Sequence, residues 1–200
     1  LKPLIVMGHL LGGLATLGLL FWLLLESARG PQAVRHFPAL AAFGFVVLIC
    51  QIALGGWTSS NYAALACPDL PTCMGQWWPE QADFDEGFIM WRGLGVDYEF
   101  GVLEAPARVA IHFVHRLGAI TASVVLLLVT ISYWRAHPQS ARVRTACAVV
   151  WAALAMQVTL GLAAVWYGLP LPVATAHNGV AAVLLLTLIN LNNVASRLPR

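Results

Sequence analysis

Charge is what this sequence has least of: only 10% of its 200 residues are charged, while 60% are hydrophobic. A water-soluble domain carries about 25% charged residues, because each surface helix must keep a wetted face. Here the charges clump between long apolar runs, which excludes an ordinary soluble fold and fits a chain dissolved in lipid. A basic stripe of the kind that binds nucleic acid is also missing, and the net charge of +2 says little about partners. Nor does a charged segment and a small-residue cleavage site flank residues 3–25, so that stretch does not read as a signal peptide. The chain opens at Leu1 rather than Met, and a truncated chain is the expectation.

What is present is a set of apolar runs at roughly 3–25, 38–56, 106–134, 145–167 and 172–195. Each approaches or exceeds the ~20 residues a helix needs to cross a ~30 Å hydrocarbon core. Strands are excluded, since an open sheet edge has no partner in lipid. Pro3, Pro38, Pro106 and Pro172 stand near four of the starts, where a missing N–H costs little. The predicted fold is an all-α polytopic bundle of five transmembrane helices.

Basic residues set the orientation. Arg29, Arg35, Arg135, Arg142, Arg144, Arg197 and Arg200 fall at one end, predicted cytoplasmic. The loop 57–105 holds Arg92 as its only basic residue, beside Asp69, Glu80, Asp83, Asp85, Glu86, Asp97, Glu99 and Glu104. That loop and the N-terminus are predicted to be periplasmic, with Lys2 against the rule. Trp57, Trp77, Trp78 and Trp91 fit either an interfacial aromatic belt or a lid over a buried cofactor. Cys67 and Cys73 flank a turn with two prolines; in an oxidising compartment a disulfide is expected, with a redox-active or metal-binding pair as the alternative. Cys50 and Cys147 fall inside spans and read as small buried hydrophobes.

The histidines carry the chemistry. His36 and His137 lie in predicted cytoplasmic loops and are given no role. His9, His112, His115 and His177 lie inside spans, where an ionisable side chain is costly and marks function by default. At 1.5 Å per residue, His115 is ~13 Å in from Pro106, His177 ~8 Å from Pro172 and His9 ~9 Å from Pro3. Two imidazoles at matched depth on different helices could ligate one planar iron macrocycle. A zinc site is disfavoured because no third or fourth ligand is evident. His112 shares a helix face with His115. Arg116 could pair with a haem propionate or snorkel to the interface; its position fits both.

A weak internal repeat runs through the chain. The first and last spans each carry a Pro, then His9 or His177 five or six residues later, then small and aliphatic residues. The second and fourth spans share Gln-x-x-Leu-Gly, at Gln51–Gly55 and Gln157–Gly161. If the last span copies the first, spans two to five form one four-helix unit, and the first belongs to a preceding unit.

Gly55-Gly56-Trp57-Thr58, then Cys67-Pro68-Asp69-Leu70-Pro71-Thr72-Cys73, then Ile111-His112-Phe113-Val114-His115-Arg116 together resemble the haem A synthase family of bacteria and mitochondria. The resemblance covers essentially the whole chain. It implies eight helices in two pseudo-symmetric halves, of which this chain would be the last five helices. Residues 1–37 would close the N-terminal half, and 38–200 would be the C-terminal half with its periplasmic loop 57–105. It also implies that His115 and His177 are axial ligands of haem b, and that His9 is one ligand of the substrate haem O. The second haem O ligand and a catalytic Glu would lie outside this chain. His112 takes the place of that Glu, three residues before the histidine, so this half would serve electron transfer.

The implied reaction turns the C8 methyl of haem O into a formyl group by successive hydroxylations and loss of water, in a bacterial inner membrane. Haem O synthase, cytochrome oxidase assembly factors and a second copy of the chain are the implied partners. Two other readings remain: a quinol-linked haem b electron-transfer cytochrome, and a haem-free transporter using the histidines as a proton relay.

Overall fold

The computed structural model describes residues 2–30, 38–93 and 101–198. Arg35, His36, Asp97, Glu99 and Arg200 lie outside the described residues. The elements are α1 (Pro3–Arg29), α2 (Ala39–Ser60), the single turn α3 (Phe84–Gly87), α4 (Ala105–Ala136), α5 (Ala141–Trp166) and α6 (Leu171–Ala195). Among the described residues there is no strand, and the five long helices are each apolar and long enough to cross a membrane. The prolines sit where the sequence reading put them. Pro3 opens α1, Pro38 precedes α2, and Pro106 and Pro172 are second in α4 and α6.

The ends run past the apolar stretches for identifiable reasons. Helix α1 continues to Arg29 because polar groups of α6 receive its last turn. Arg29 donates to the side-chain oxygens of Asn193 and Asn190, Asn193 Nδ2 donates to Glu26 at 2.5 Å, and Arg197 pairs with Glu26 at 3.1 Å. Gly30, at φ 72°, then stops the helix with its N–H on the Glu26 carbonyl. Helix α2 reaches Ser60, so Trp57 is helical rather than part of the loop. Its side chain is buried and donates from Nε1 to the Gly87 carbonyl at 2.9 Å.

One end of the bundle is packed and the other is open. The main apolar cluster joins Leu48 and Ile52 of α2, Leu126 and Val129 of α4, Val143, Cys147 and Val150 of α5, and Leu184, Leu188 and Leu191 of α6. All buried residues of α5 fall within 143–154, and all those of α6 within 184–195. Toward the other end of both helices no residue is buried. Arg29, Ser140, Arg142 and Arg197 gather around a cavity of about 170 Å³ at the packed end, as their common assignment to one side requires. Cys50 departs from expectation: it is exposed, while Cys147 is buried. It occupies the outward face of α2, and a thiol facing hydrocarbon needs no protein cover.

Residues 61–93 and 101–104 cap the open end. The disulfide packs on Val109 and Phe113 of α4, while Trp57, Ala63 and Leu103 pack on Ala107 and Ile111. The N-terminus joins this cap, since Lys2 Nζ donates to the Gly93 carbonyl at 2.5 Å and lies 3.7 Å over the Trp91 ring. Trp57 is thus a buried anchor, whereas Trp77, Trp78 and Trp91 are exposed. Gly87 is the tightest point of the cap: a Cβ there would stand 2.9 Å from the Ala107 carbonyl oxygen, a backbone atom that cannot step aside. Gly87→Ala should therefore shift α3 off α4 and weaken the Trp57 bond. The expected cost is about 1–3 kcal/mol, read as a lower thermal midpoint and faster proteolysis within 61–93. Unchanged proteolysis would mean that α3 does not hold the cap.

Candidate functional site

The layer between the packed end and the cap carries the polar residues. His115 on α4 faces α2, where Gln51 Nε2 stands 3.1 Å from the ring Nδ1 and donates to the His115 carbonyl at 3.1 Å. His177 on α6 faces α5, where Gln157 Nε2 stands 3.1 Å from the ring Nε2. One helical turn beyond each glutamine is a glycine. A Cβ on Gly55 would lie 3.3 Å from His115 Cε1, and one on Gly161 would lie 3.1 Å from His177 Cε1. The shared Gln-x-x-Leu-Gly motif therefore does the same thing twice. Its amide meets an imidazole of a neighbouring helix, and its glycine leaves room for that ring.

Both pairs lie in this layer, and α4 and α6 each pack against both α2 and α5. Each ring engages the amide with one nitrogen. His177 Nδ1 is buried without a partner, and His115 Nε2 has no hydrogen bond among the described residues. The amide oxygens Gln51 Oε1 and Gln157 Oε1 are buried and unpartnered too. Unpaired polar atoms in hydrocarbon are costly, and their gathering around two histidines marks this layer as the candidate site.

His112 has a different job. It is buried, and its Nδ1 accepts from the Cys67 N–H at 3.1 Å. A neutral imidazole accepts at one nitrogen only. Arg116 Nε approaches the other ring nitrogen, Nε2, at 3.3 Å, so the tautomer decides which of the two donors the ring accepts from. Arg116 spends its other donors on the loop: Nη1 donates to the carbonyls of Asp69 at 2.7 Å and Thr72 at 2.8 Å, and Nη2 to that of Cys67. Cys67 and Cys73 form the expected disulfide, with Cα atoms 4.7 Å apart. Asp69 closes the turn, accepting from the Met74 amide at 2.7 Å, the Gly75 amide at 3.0 Å and the Thr72 hydroxyl.

A family model described as cytochrome oxidase assembly protein (COX15-CtaA) matches residues 1–189. The chain belongs to this family. It is similar to the heme A synthase of Shewanella oneidensis, 42% identical over 197 residues, which are 96% of this chain and 58% of that protein. The heme A synthase of Paracoccus denitrificans is 31% identical over 190 residues, 90% of this chain and 46% of its own length. That of Rhizorhabdus wittichii is 30% identical over 188 residues, 90% and 48% respectively. The chain spans about half the length of the curated relatives it matches. No solved structure matches it. As a member of this family with five apolar spanning helices, it is a multi-pass membrane protein.

His9 stands apart from the paired histidines. Helix α1 lays Met7 and Leu10 against Gly56 of α2, and Gly18 against Ile189 of α6. His9 is exposed on the flank, and Phe21 and Trp22 lower on the helix are half-buried against the core. Gln51 and Gln157 stand at the site although the sequence reading gave them no role. The repeat pointed to them, but nothing in the sequence said which side chains they would meet.

Two outcomes follow for the loop. Arg116→Ala leaves three carbonyls without their donor and should cost about 2–3 kcal/mol; Arg116→Lys should recover only part, because an ammonium cannot match the guanidinium fork. Thermal unfolding and proteolysis between Cys67 and Gln76 read both, and wild-type behaviour of Arg116→Ala would refute the clamp. The Asp69 carboxyl is held below the usual carboxylate range, first by the Thr72 hydroxyl, then by the Gly75 and Met74 amides. Its stabilisation is complete above the ordinary value of about 4 and is lost as pH falls through the lowered one. Proteolysis of the loop should rise only below pH ~4, and Asp69→Asn should abolish that dependence.

Proposed function

We propose that this chain is the haem-bearing part of a haem A synthase, an oxidoreductase that converts the C8 methyl of haem O to the formyl group of haem A. One observation carries this reading. Imidazoles from α4 and α6 stand in a layer where α5 and α6 bury no side chain, each with a ring nitrogen the protein leaves unpaired. The names of the relatives agree with it. The donor set fits a bis-imidazole haem: two neutral nitrogen ligands, glycines where the rings need room, and orphaned polar atoms around them.

In this reading His115 and His177 hold haem b, which supplies one-electron chemistry when bound. The chain's own residues orient it. Gln51 and Gln157 contact the rings, Gly55 and Gly161 leave them space, and the disulfide-bridged cap shuts water out from above. Arg116 reaches a propionate only with donors that the carbonyls of Cys67, Asp69 and Thr72 do not occupy, so its first duty is to the cap. His112 bonds the cap as well and takes no part in ligation. Residues 38–200 are then one four-helix half, and 1–37 belong with a second half in which His9 ligates haem O. An imidazole exposed on an apolar flank supports that role, since lipid alone would not accommodate it well. The membrane is the bacterial inner membrane, with the cap and N-terminus periplasmic and the arginine-lined end cytoplasmic. In the same reading the catalytic acid belongs to the other half, and haem O synthase and oxidase assembly factors are the partners.

Protein purified in detergent should show a low-spin haem spectrum, and extraction should give haem b. His115→Ala and His177→Ala should each abolish that spectrum. With haem O added, chromatographic separation of haems O, A and B tests the substrate. Haem b without retention of haem O favours a quinol-linked cytochrome, and a colourless protein favours a proton-coupled transporter.

A further inference from the structure

The repeated glutamines carry an inference that rests on the haem-binding reading and deepens it. A neutral imidazole that gives one nitrogen to iron keeps its proton on the other, and that N–H needs an acceptor. The nitrogens that face the glutamines are His115 Nδ1 and His177 Nε2, each 3.1 Å from an amide nitrogen. An amide nitrogen is a donor and serves only a ring that carries no proton on that side. The matching acceptors, Gln51 Oε1 and Gln157 Oε1, are buried and unpartnered beside the same rings. A half-turn of the Gln157 amide exchanges the two atoms and places an oxygen where the N–H requires one; at Gln51 the same exchange gives up the bond from Nε2 to the His115 carbonyl, so there the ring N–H must supply the replacement.

We propose that Gln51 and Gln157 are the positioning residues of the two haem ligands, each turning its amide oxygen to the ring N–H of His115 or His177 when that ring binds iron. A glutamine amide meets a ring nitrogen at both histidines, Nδ1 of His115 and Nε2 of His177, from the same motif on different helices, and that repetition is hard to reconcile with incidental packing. The surroundings are shaped for the amides as well. Gly118, one turn after His115, is where a Cβ would collide with the Gln51 amide and would lie 2.9 Å from Leu54 Cδ1. The glutamines thereby fix the tautomer and plane of each ring and raise its basicity as a ligand. They touch neither the iron nor the substrate.

The test uses the full chain purified with its haem, reading the midpoint potential, the electron paramagnetic resonance of the ferric form and the haem content. Gln51→Glu and Gln157→Glu strengthen the acceptor. Each should lower the potential by favouring ferric over ferrous haem about tenfold, which is about 59 mV for one electron. Gln51→Leu and Gln157→Leu remove the acceptor. They should raise the potential, alter the low-spin g values and weaken haem retention about 10-fold or more. Gly118→Ala, which displaces the Gln51 amide without touching a histidine, should shift the potential in the same direction as Gln51→Leu. Opposite shifts for Glu and Leu are not expected from a merely structural side chain. Potentials and g values unchanged from wild type in the haem-bearing fraction of all five variants would overturn this proposal alone. A wild-type protein that holds no haem would overturn it together with the reading it rests on.

Discussion

An imidazole inside hydrocarbon must be met by another polar group of the protein, because no water is there to meet it. The arrangement around the histidines follows from that constraint. His115 and His177 are placed on α4 and α6, and each is answered by a glutamine on the adjacent helix, Gln51 or Gln157. Glycine one turn further along lets the ring approach, so the polar contact and the steric allowance come from a single motif. Apolar packing is concentrated at the opposite end, where Leu126, Val143, Val150, Leu184 and Leu191 close the bundle. The helices are thus gripped by apolar packing at one end and meet through polar contacts at the other.

The cap extends this logic to the membrane surface. Its backbone carbonyls point at Arg116, and its Cys67 amide points at His112, so two polar residues near the end of α4 are satisfied by the cap and the cap is held by them. The disulfide keeps Cys67 and Asp69 in register with the guanidinium, while Trp57 and Gly87 dock the second part of the loop. Neighbours in sequence thereby divide their work. His115 turns inward to the layer between helices, and His112 and Arg116, three residues before and one after, turn to the loop.

Helix α1 is bound by different forces along its length. At the packed end, Glu26 and Arg29 are locked to Asn190 and Asn193 of α6 and to Arg197 just beyond it. In the middle, Gly18 permits close approach to Ile189, and further up Leu10 rests on Gly56. The rest of the helix presents Ile5, Leu19, Leu20, Leu23 and Leu24 outward with His9. Leucines in that position are at home in lipid, whereas the histidine is the exception among them.

The five spans, the sharing of one end by the arginines and the disulfide were legible in the sequence. Hydrophobic length, charge placement and cysteine spacing act locally, and lipid as solvent leaves few alternatives. The family was legible too, from the cysteine turn and the His-x-x-His-Arg stretch. The partners of the polar side chains were not. Arg116 read equally well as a propionate ligand or a snorkelling residue, and the structure gives its donors to carbonyls 44–49 residues away. Cys50 read as buried because its helix is apolar on every side, so no periodicity shows which face meets protein. The Gln-x-x-Leu-Gly repeat was visible, but its meaning depends on which helices are neighbours and how each is rotated. Sequence determined which segments enter the membrane and which polar residues they carry; tertiary structure decided which of those residues meet, because rotation about a uniformly apolar helix axis is fixed only by packing.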